Sequence, residues 1–154
     1  MSLNVDYNTP TVLNVLIERI QNLKKSGKFE DAIRAAETAV ESARRLIEDR
    51  PDQIINLVTC LELLGNLLRI CGKEMESEAV YVEALSYEGS EKIEMRQLAR
   101  IKSNLACIYD NNNLNDEAII LYNQAIDTFS SLTPSPEIEI ANIRNNLGML
   151  HKKK

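Results

Sequence analysis

Tryptophan is absent from this chain, and the other aromatics are few: five tyrosines and two phenylalanines in 154 residues. Strands draw on aromatic and β-branched side chains, so a sandwich or barrel is disfavoured. Five glycines and four prolines leave too few turn residues for a small all-β domain or a flexible linker. The three cysteines, Cys60, Cys71 and Cys107, show no Cys-x2-Cys spacing. Each sits inside an apolar helical pattern and reads as a buried free thiol rather than a metal ligand or half of a disulfide. No uninterrupted run of about 18 apolar residues occurs, and no charged segment followed by an apolar core opens the chain. Neither a membrane span nor a secretion signal is therefore read, and the expected setting is cytoplasmic. Positive charge is blocked only at Lys152, Lys153 and Lys154, against a formal net charge of −5, which argues against nucleic acid as a ligand. Phosphate-cradling glycine loops are missing too. Met1-Ser2-Leu3 reads as an expression remnant.

What is present points to helices. The chain is 44% hydrophobic and 27% charged, rich in Leu, Ile, Ala, Glu, Asn and Lys, enough for a real core built from good helix formers. Thr9-Pro10 and Ser135-Pro136 each set a capping residue before a proline suited to a first helical turn, while Gly27, Gly72 and Asn111-Asn112-Asn113 interrupt the periodicity. Seven helices are predicted, at about 10–25, 29–48, 52–70, 74–88, 91–110, 115–132 and 136–153, with no strand. In the last, Ile140, Ile143, Leu147 and Leu150 form one stripe that a neighbour must cover; Ala118, Leu121, Tyr122, Ala125, Ile126 and Phe129 form another in the helix before it. Short connections make such helices antiparallel pairs.

The pairs repeat. Leu64, Gly65, Leu68, Gly72, Ser77, Tyr81, Ala84 and Leu85 meet Leu105, Ala106, Tyr109, Asn113, Ala118, Tyr122, Ala125 and Ile126 at a constant offset of 41. An offset of 45 relates the first unit to the second, placing Ile20 under Gly65, Ala32 under Ser77 and Ala36 under Tyr81; 42 relates the third to the fourth. Gly65, Ala106 and Gly148 are expected to keep the first helix of a unit thin where it crosses the second, with Ala32, Ser77 and Ala118 doing the same from the facing helix. Tyr81, Tyr109 and Tyr122 then fill the space between units.

In Leu105-Ala106-x2-Tyr109 and Ala118-x3-Tyr122, and in the turn Gly27-Lys28-Phe29-Glu30-Asp31-Ala32, the chain resembles the tetratricopeptide repeat. Departures are Glu74 and Asn115 in place of the aromatic after the turn, Ile20 in place of the first Gly/Ala, and an empty tryptophan position. The long period and Asn145-Asn146-Leu147-Gly148 are similar to the repeats of kinesin light chains and of many bacterial and archaeal regulators. The resemblance implies an all-α, right-handed superhelical array of antiparallel helix pairs. The expectation is one domain over 1–154 with repeats at about 10–50, 51–90 and 91–134 and a half repeat at 135–154.

It also implies a concave groove lined by the first helix of each unit: Asn14, Gln21 and Lys24; Thr59, Glu62, Asn66 and Arg69; Arg100, Ser103, Asn104, Cys107 and Asp110; Asn142, Asn145, Asn146 and Met149. An asparagine offers both donor and acceptor and can pair with the backbone of an extended peptide whatever its side chains. Asn66, Asn104, Asn142, Asn145 and Asn146, with Arg69 and Arg100 for a carboxylate, are the candidate contacts; the alternative is that they form a solvated face or bond within the array. The cations with which chaperone-binding members clamp a C-terminal carboxylate are missing, since Glu62, Asn66, Asn104, Asn142 and Asn146 stand in their places. The only histidine, His151, aligns with Tyr109 and Leu68 and has no catalytic set around it. Glu74, Glu76 and Glu78 read as a solvated face. The expected function is a non-enzymatic module that binds a protein or peptide partner, with no cofactor, no nucleic acid and no membrane. Self-association through terminal helices, or peptide sensing within a larger protein, are the alternatives. The last stretch, NNLGMLHKKK, reads as the first helix of a fourth repeat without its second: either a cap over Asn142 to Lys153, or, as the apolar surround of Met149 favours, a fragment of a longer array.

Overall fold

The structure, a computed structural model, describes residues 10–153, with side chains from 12 to 152. Thr9, the Met1-Ser2-Leu3 opening and Lys154 lie outside them. Helices α1 (Pro10–Lys25), α2 (Phe29–Asp49), α3 (Ile54–Ile70), α4 (Glu74–Leu85), α5 (Met95–Asn111), α6 (Asn115–Ser131) and α7 (Glu137–Lys153) follow in order, with one 3-10 turn, Pro51–Gln53, before α3. No strand occurs among the described residues. The chain divides into two compact units, one ending at Tyr87 and the other beginning at Glu88.

The turns inside the three hairpins share one geometry, and it explains why these helices stop where they do. Gly27, Gly72 and Asn113 all take the left-handed conformation, at φ 75, 78 and 62°. The next residue bonds back five positions: the N–H of Lys28 to the carbonyl of Leu23 (2.9 Å), of Lys73 to Leu68 (2.8 Å) and of Leu114 to Tyr109 (2.8 Å). The left-handed residue itself bonds to Lys24, Arg69 or Asp110, each at 3.1 Å. These two hydrogen bonds satisfy the last free carbonyls of the first helix, and glycine is favoured because most side chains are strained there, asparagine least. The following helix starts at once, as Ala32, Ser77 and Ala118 donate to the carbonyls of Lys28, Lys73 and Leu114 at 3.0 Å. Gly72→Ala is therefore expected to lower stability by about 1 kcal/mol. A parallel Asn113→Gly variant should gain no more than a few tenths, because asparagine already tolerates this region. Urea denaturation of both variants checks the order; an unchanged midpoint for Gly72→Ala would refute it.

In the first unit, α1 to α4 enclose a core of aliphatic side chains and one ring. Leu13, Ile20, Leu57, Leu61 and Tyr81 are fully buried. An added Cβ at Gly65 would lie 2.5 Å from Tyr81 Cε1, so the thin crossing expected from the sequence is there. Ser77, expected only as a small residue, also donates its hydroxyl to the Gly65 carbonyl at 2.6 Å. At the corresponding pair of the first hairpin the sizes are exchanged: Ile20 on α1 and Ala36 on α2 are both fully buried. The Ile20 departure thus moves bulk from the second helix to the first. Arg44 and Glu83 join α2 to α4 by two bonds of 2.5 and 3.2 Å, a pair no sequence feature indicated.

In the second unit Ala99, Ala106, Ala118, Tyr122, Ala125, Phe129, Ile140, Ile143, Leu147 and Leu150 form one core cluster, so both predicted stripes face it. Leu121, Ile126 and Tyr109 pack against its edge, half-buried.

Four expectations are corrected. Helix α4 ends at Leu85 rather than 88, and α5 begins at Met95 rather than 91. Ser86 donates its hydroxyl to the Glu83 carbonyl at 2.5 Å, Ser90 accepts from the Lys92 N–H at 3.3 Å, and Glu94 is extended. Such local serine bonds compete with helix continuation. Ser135 does not cap α7: its hydroxyl donates to the Leu132 carbonyl at 3.1 Å, and the first turn closes through Ile140 N–H on the Pro136 carbonyl. Gly148 does not thin a crossing, because it is exposed and an added Cβ there would meet nothing within 4 Å. Of the cysteines only Cys60 is buried; Cys71 and Cys107 are half-buried.

Candidate functional site

The predicted contacts separate into engaged and free side chains. On α3 of the first unit, Arg69 Nη2 donates to Asn66 Oδ1 at 3.1 Å, both groups being part-buried. These two positions are one turn apart, so the amide oxygen holds one end of the guanidinium along the helix, while its buried Nε has no hydrogen-bond partner among the described residues. Two clefts of this unit lie elsewhere. One runs along α2 between Arg34 and Arg44 with Leu64 at its floor, and another lies along α1 by Val15, Arg19 and Leu23.

In the second unit the first helices are α5 and α7, and one bond links their faces. Asn146 on α7 directs Nδ2 at Cys107 Sγ on α5 (4.0 Å), and the Tyr122 hydroxyl donates to the same sulfur at 3.2 Å. Burial pushes the Tyr122 hydroxyl well above the usual phenol range, and its bond to Cys107 raises it further, so it stays protonated and a donor. Cys60, in the first unit, is pushed up to about 12 by burial alone, which makes it an inert thiol at neutral pH. The Tyr122–Cys107–Asn146 cluster was not singled out by the sequence reading. Its signal was available: Cys107 follows the small residue Ala106, and Asn146 lies 42 positions from Asn104.

Asn142 and Asn145 are exposed on α7, Asn104 is half-buried on α5, and Arg100 is exposed one turn before it. Among the described residues Asn104, Asn142 and Asn145 form no side-chain hydrogen bond with the rest. Their donors and acceptors are open to a partner, whereas Asn66 Oδ1 and Asn146 Nδ2 are in use. Met149, beside them, is 59% exposed.

His151 is exposed, and among the described residues no group of three His, Cys, Asp or Glu side chains is placed to hold a metal ion. Pro51–Ile70 is long and apolar enough, by length and composition, to cross a membrane. Its residues Leu57, Val58, Leu61 and Leu64 are buried within the first unit, the pattern of a core helix.

Residues 99–129, from Ala99 of α5 to Phe129 of α6, match the sequence profile of the tetratricopeptide repeat. Among solved structures the chain is similar to BtubC (BKLC) from P. vanneervenii, a kinesin light chain-like protein, with 31% identity and a TM-score of 0.60. The match covers 81% of this chain and 50% of that one, so the chain spans about half the length of BtubC. No curated protein matches the chain. Repeats of this type are in general protein-interaction modules and not enzymes. The left-handed turns, the Gly65–Tyr81 crossing and these two matches agree: the chain is a protein of tetratricopeptide-type repeats.

Proposed function

We propose that the chain binds an extended segment of a partner protein along the face of its first helices, with Asn104, Asn142 and Asn145 pairing with the segment's backbone. The observation that carries this reading is that these three amides are uncommitted on α5 and α7, while Asn146, on the same helix as two of them, is bonded to Cys107. Main-chain pairing supplies affinity without demanding a particular side chain. Asn66, Arg69 and Asn146 serve as supports, holding helix faces rather than ligand. On this reading the bound segment lies flat, since Asn142 and Asn145 are one helical turn apart.

The test uses a peptide selected from a random library on the immobilised chain. Asn104→Ala and Asn145→Ala are each expected to weaken its binding roughly fivefold, the loss of about one hydrogen bond. Asn66→Ala, by contrast, should leave affinity nearly unchanged. If both first variants keep full affinity while their circular dichroism is native, the proposal is wrong.

A further inference from the structure

Helix α4 is apolar on two opposite sides. Tyr81 and Ala84 are fully buried in the core of the first unit. On the side away from them Met75, Ala79 and Val82 fall at i, i+4 and i+7. All three are exposed, Met75 at 86% and Val82 at 49%. A surface helix ordinarily sets charged or polar groups on that side, and this chain does so elsewhere. The positions one repeat earlier, 45 residues back, hold Glu30, Arg34 and Glu37 on α2; those 41 residues on hold Asp116, Ile120 and Asn123 on α6. The stripe is not a stacking face either. The hairpin of α3 and α4 packs against α2, with Arg44 bonded to Glu83 and Lys73 to Glu30, yet Glu30, Arg34 and Glu37 stay exposed. Stacking one repeat on another therefore leaves this face open, and further repeats would not cover Met75 and Val82.

The charges around the stripe say what would cover it. Helix α4 carries Glu74, Glu76, Glu78 and Glu83 and neither lysine nor arginine. The bases nearest to it are taken, Arg44 by Glu83 and Lys73 by Glu30. Glu76 and Glu78, which flank the stripe on its two sides, have no ion-pair partner among the described residues. A second copy presenting the same face would set carboxylate against carboxylate, and an anionic membrane would be repelled. Within the chain, residues 1–9 hold Asp6 and no base, and the run Lys152 to Lys154 holds no apolar side chain. We infer that the outer face of α4 docks a basic amphipathic helix of a partner protein, its apolar residues seated over Ala79 between Met75 and Val82 and its lysines or arginines on Glu76 and Glu78.

The probe is a synthetic peptide of leucine and lysine about four helical turns long, its leucines at helical spacing. It is labelled with a fluorophore and titrated with the full chain. Saturable binding is expected, weakened about tenfold by Met75→Ser combined with Val82→Ser. Glu76→Gln combined with Glu78→Gln should weaken it about fivefold, and added salt should weaken it too. Met75 and Val82 lie at the surface, so circular dichroism should stay native in the first pair. Glu37→Gln combined with Glu48→Gln removes the same charge from α2 and should leave affinity unchanged, as should Asn104→Ala; a peptide of leucine and glutamate should not bind. Absence of binding by the leucine and lysine peptide, full affinity in the Met75 and Val82 pair, or an equal loss in either control overturns the inference. So does a dimer in light scattering, or capture of phosphatidylserine vesicles, that the same pair abolishes, because the occupant would then be a second copy or a membrane.

Discussion

Phe129→Ala is expected to lower the stability of the second unit by about 3–5 kcal/mol. Phe129 is 2% exposed, and the alanines 99, 106, 118 and 125 share its cluster. Alanines cannot extend into a vacated volume, so the space left by the ring stays largely open, and the cavity cost adds to the lost transfer free energy. The longer neighbours Ile140, Ile143 and Leu147 come from α7, which is held chiefly by this cluster. Hydrogen exchange should therefore show α7 amides opening first in the variant. Urea denaturation measures the total; a loss below about 1 kcal/mol would mean that the cluster rearranges to fill the hole, contrary to the packing described.

The second large effect concerns two glycines with the same place in the repeat and opposite surroundings. Gly65→Ala should cost about 2–3 kcal/mol, because the new methyl would stand 2.5–2.8 Å from three ring atoms of Tyr81, and the ring is fully buried, so relieving the clash requires its packing to shift. Gly148→Ala should instead gain up to about 1 kcal/mol, since nothing lies within 4 Å and alanine is the better helix former. Removing the ring tests the cause. In the background Tyr81→Leu, the penalty of Gly65→Ala should shrink by more than half, a coupling readable from a double-mutant cycle. Equal penalties in both backgrounds would show that the clash is not with the ring. The equivalent ring in the second unit, Tyr122, already stands opposite an alanine, Ala106, and turns its hydroxyl to Cys107. A tyrosine at this place is therefore compatible with a methyl only when the hairpin is built around both.

The contrast between Gly65 and Gly148 also marks how far the sequence could be read. Helix number, the hairpin turns and the core stripes were legible because each rests on a local rule: a left-handed residue ends a helix, and a 3.6-residue period buries one face. The Gly65 crossing was legible from the register of small residues. What register cannot show is whether another helix packs at that place among the described residues, and so the same reasoning fails at Gly148. The ends of α4 and α5 were misplaced because Ser86 and Ser90 act through single side-chain bonds that leave no periodic trace. At the candidate site the amide-rich faces could be named from sequence, but the division into bonded Asn66 and Asn146 and free Asn104, Asn142 and Asn145 depends on which neighbour lies within reach. The Asn146 bond to Cys107 joins residues 39 positions apart, and only the packing of α7 beside α5 creates it.

The exchange of sizes between Ile20 with Ala36 and Gly65 with Tyr81 has a consequence for how such repeats evolve and can be engineered. Each hairpin is keyed: its large residue sits on one helix and its recess on the other, and the two keys in this unit are cut in opposite senses. Grafting α4 in place of α2 would set a tyrosine against Ile20, two bulky groups in a gap sized for one, and the reverse graft would leave Ala36 facing Gly65 across a void. The helices of this array are therefore inherited in pairs. A recombination boundary that falls between hairpins preserves the fit, and one that falls inside a hairpin destroys it.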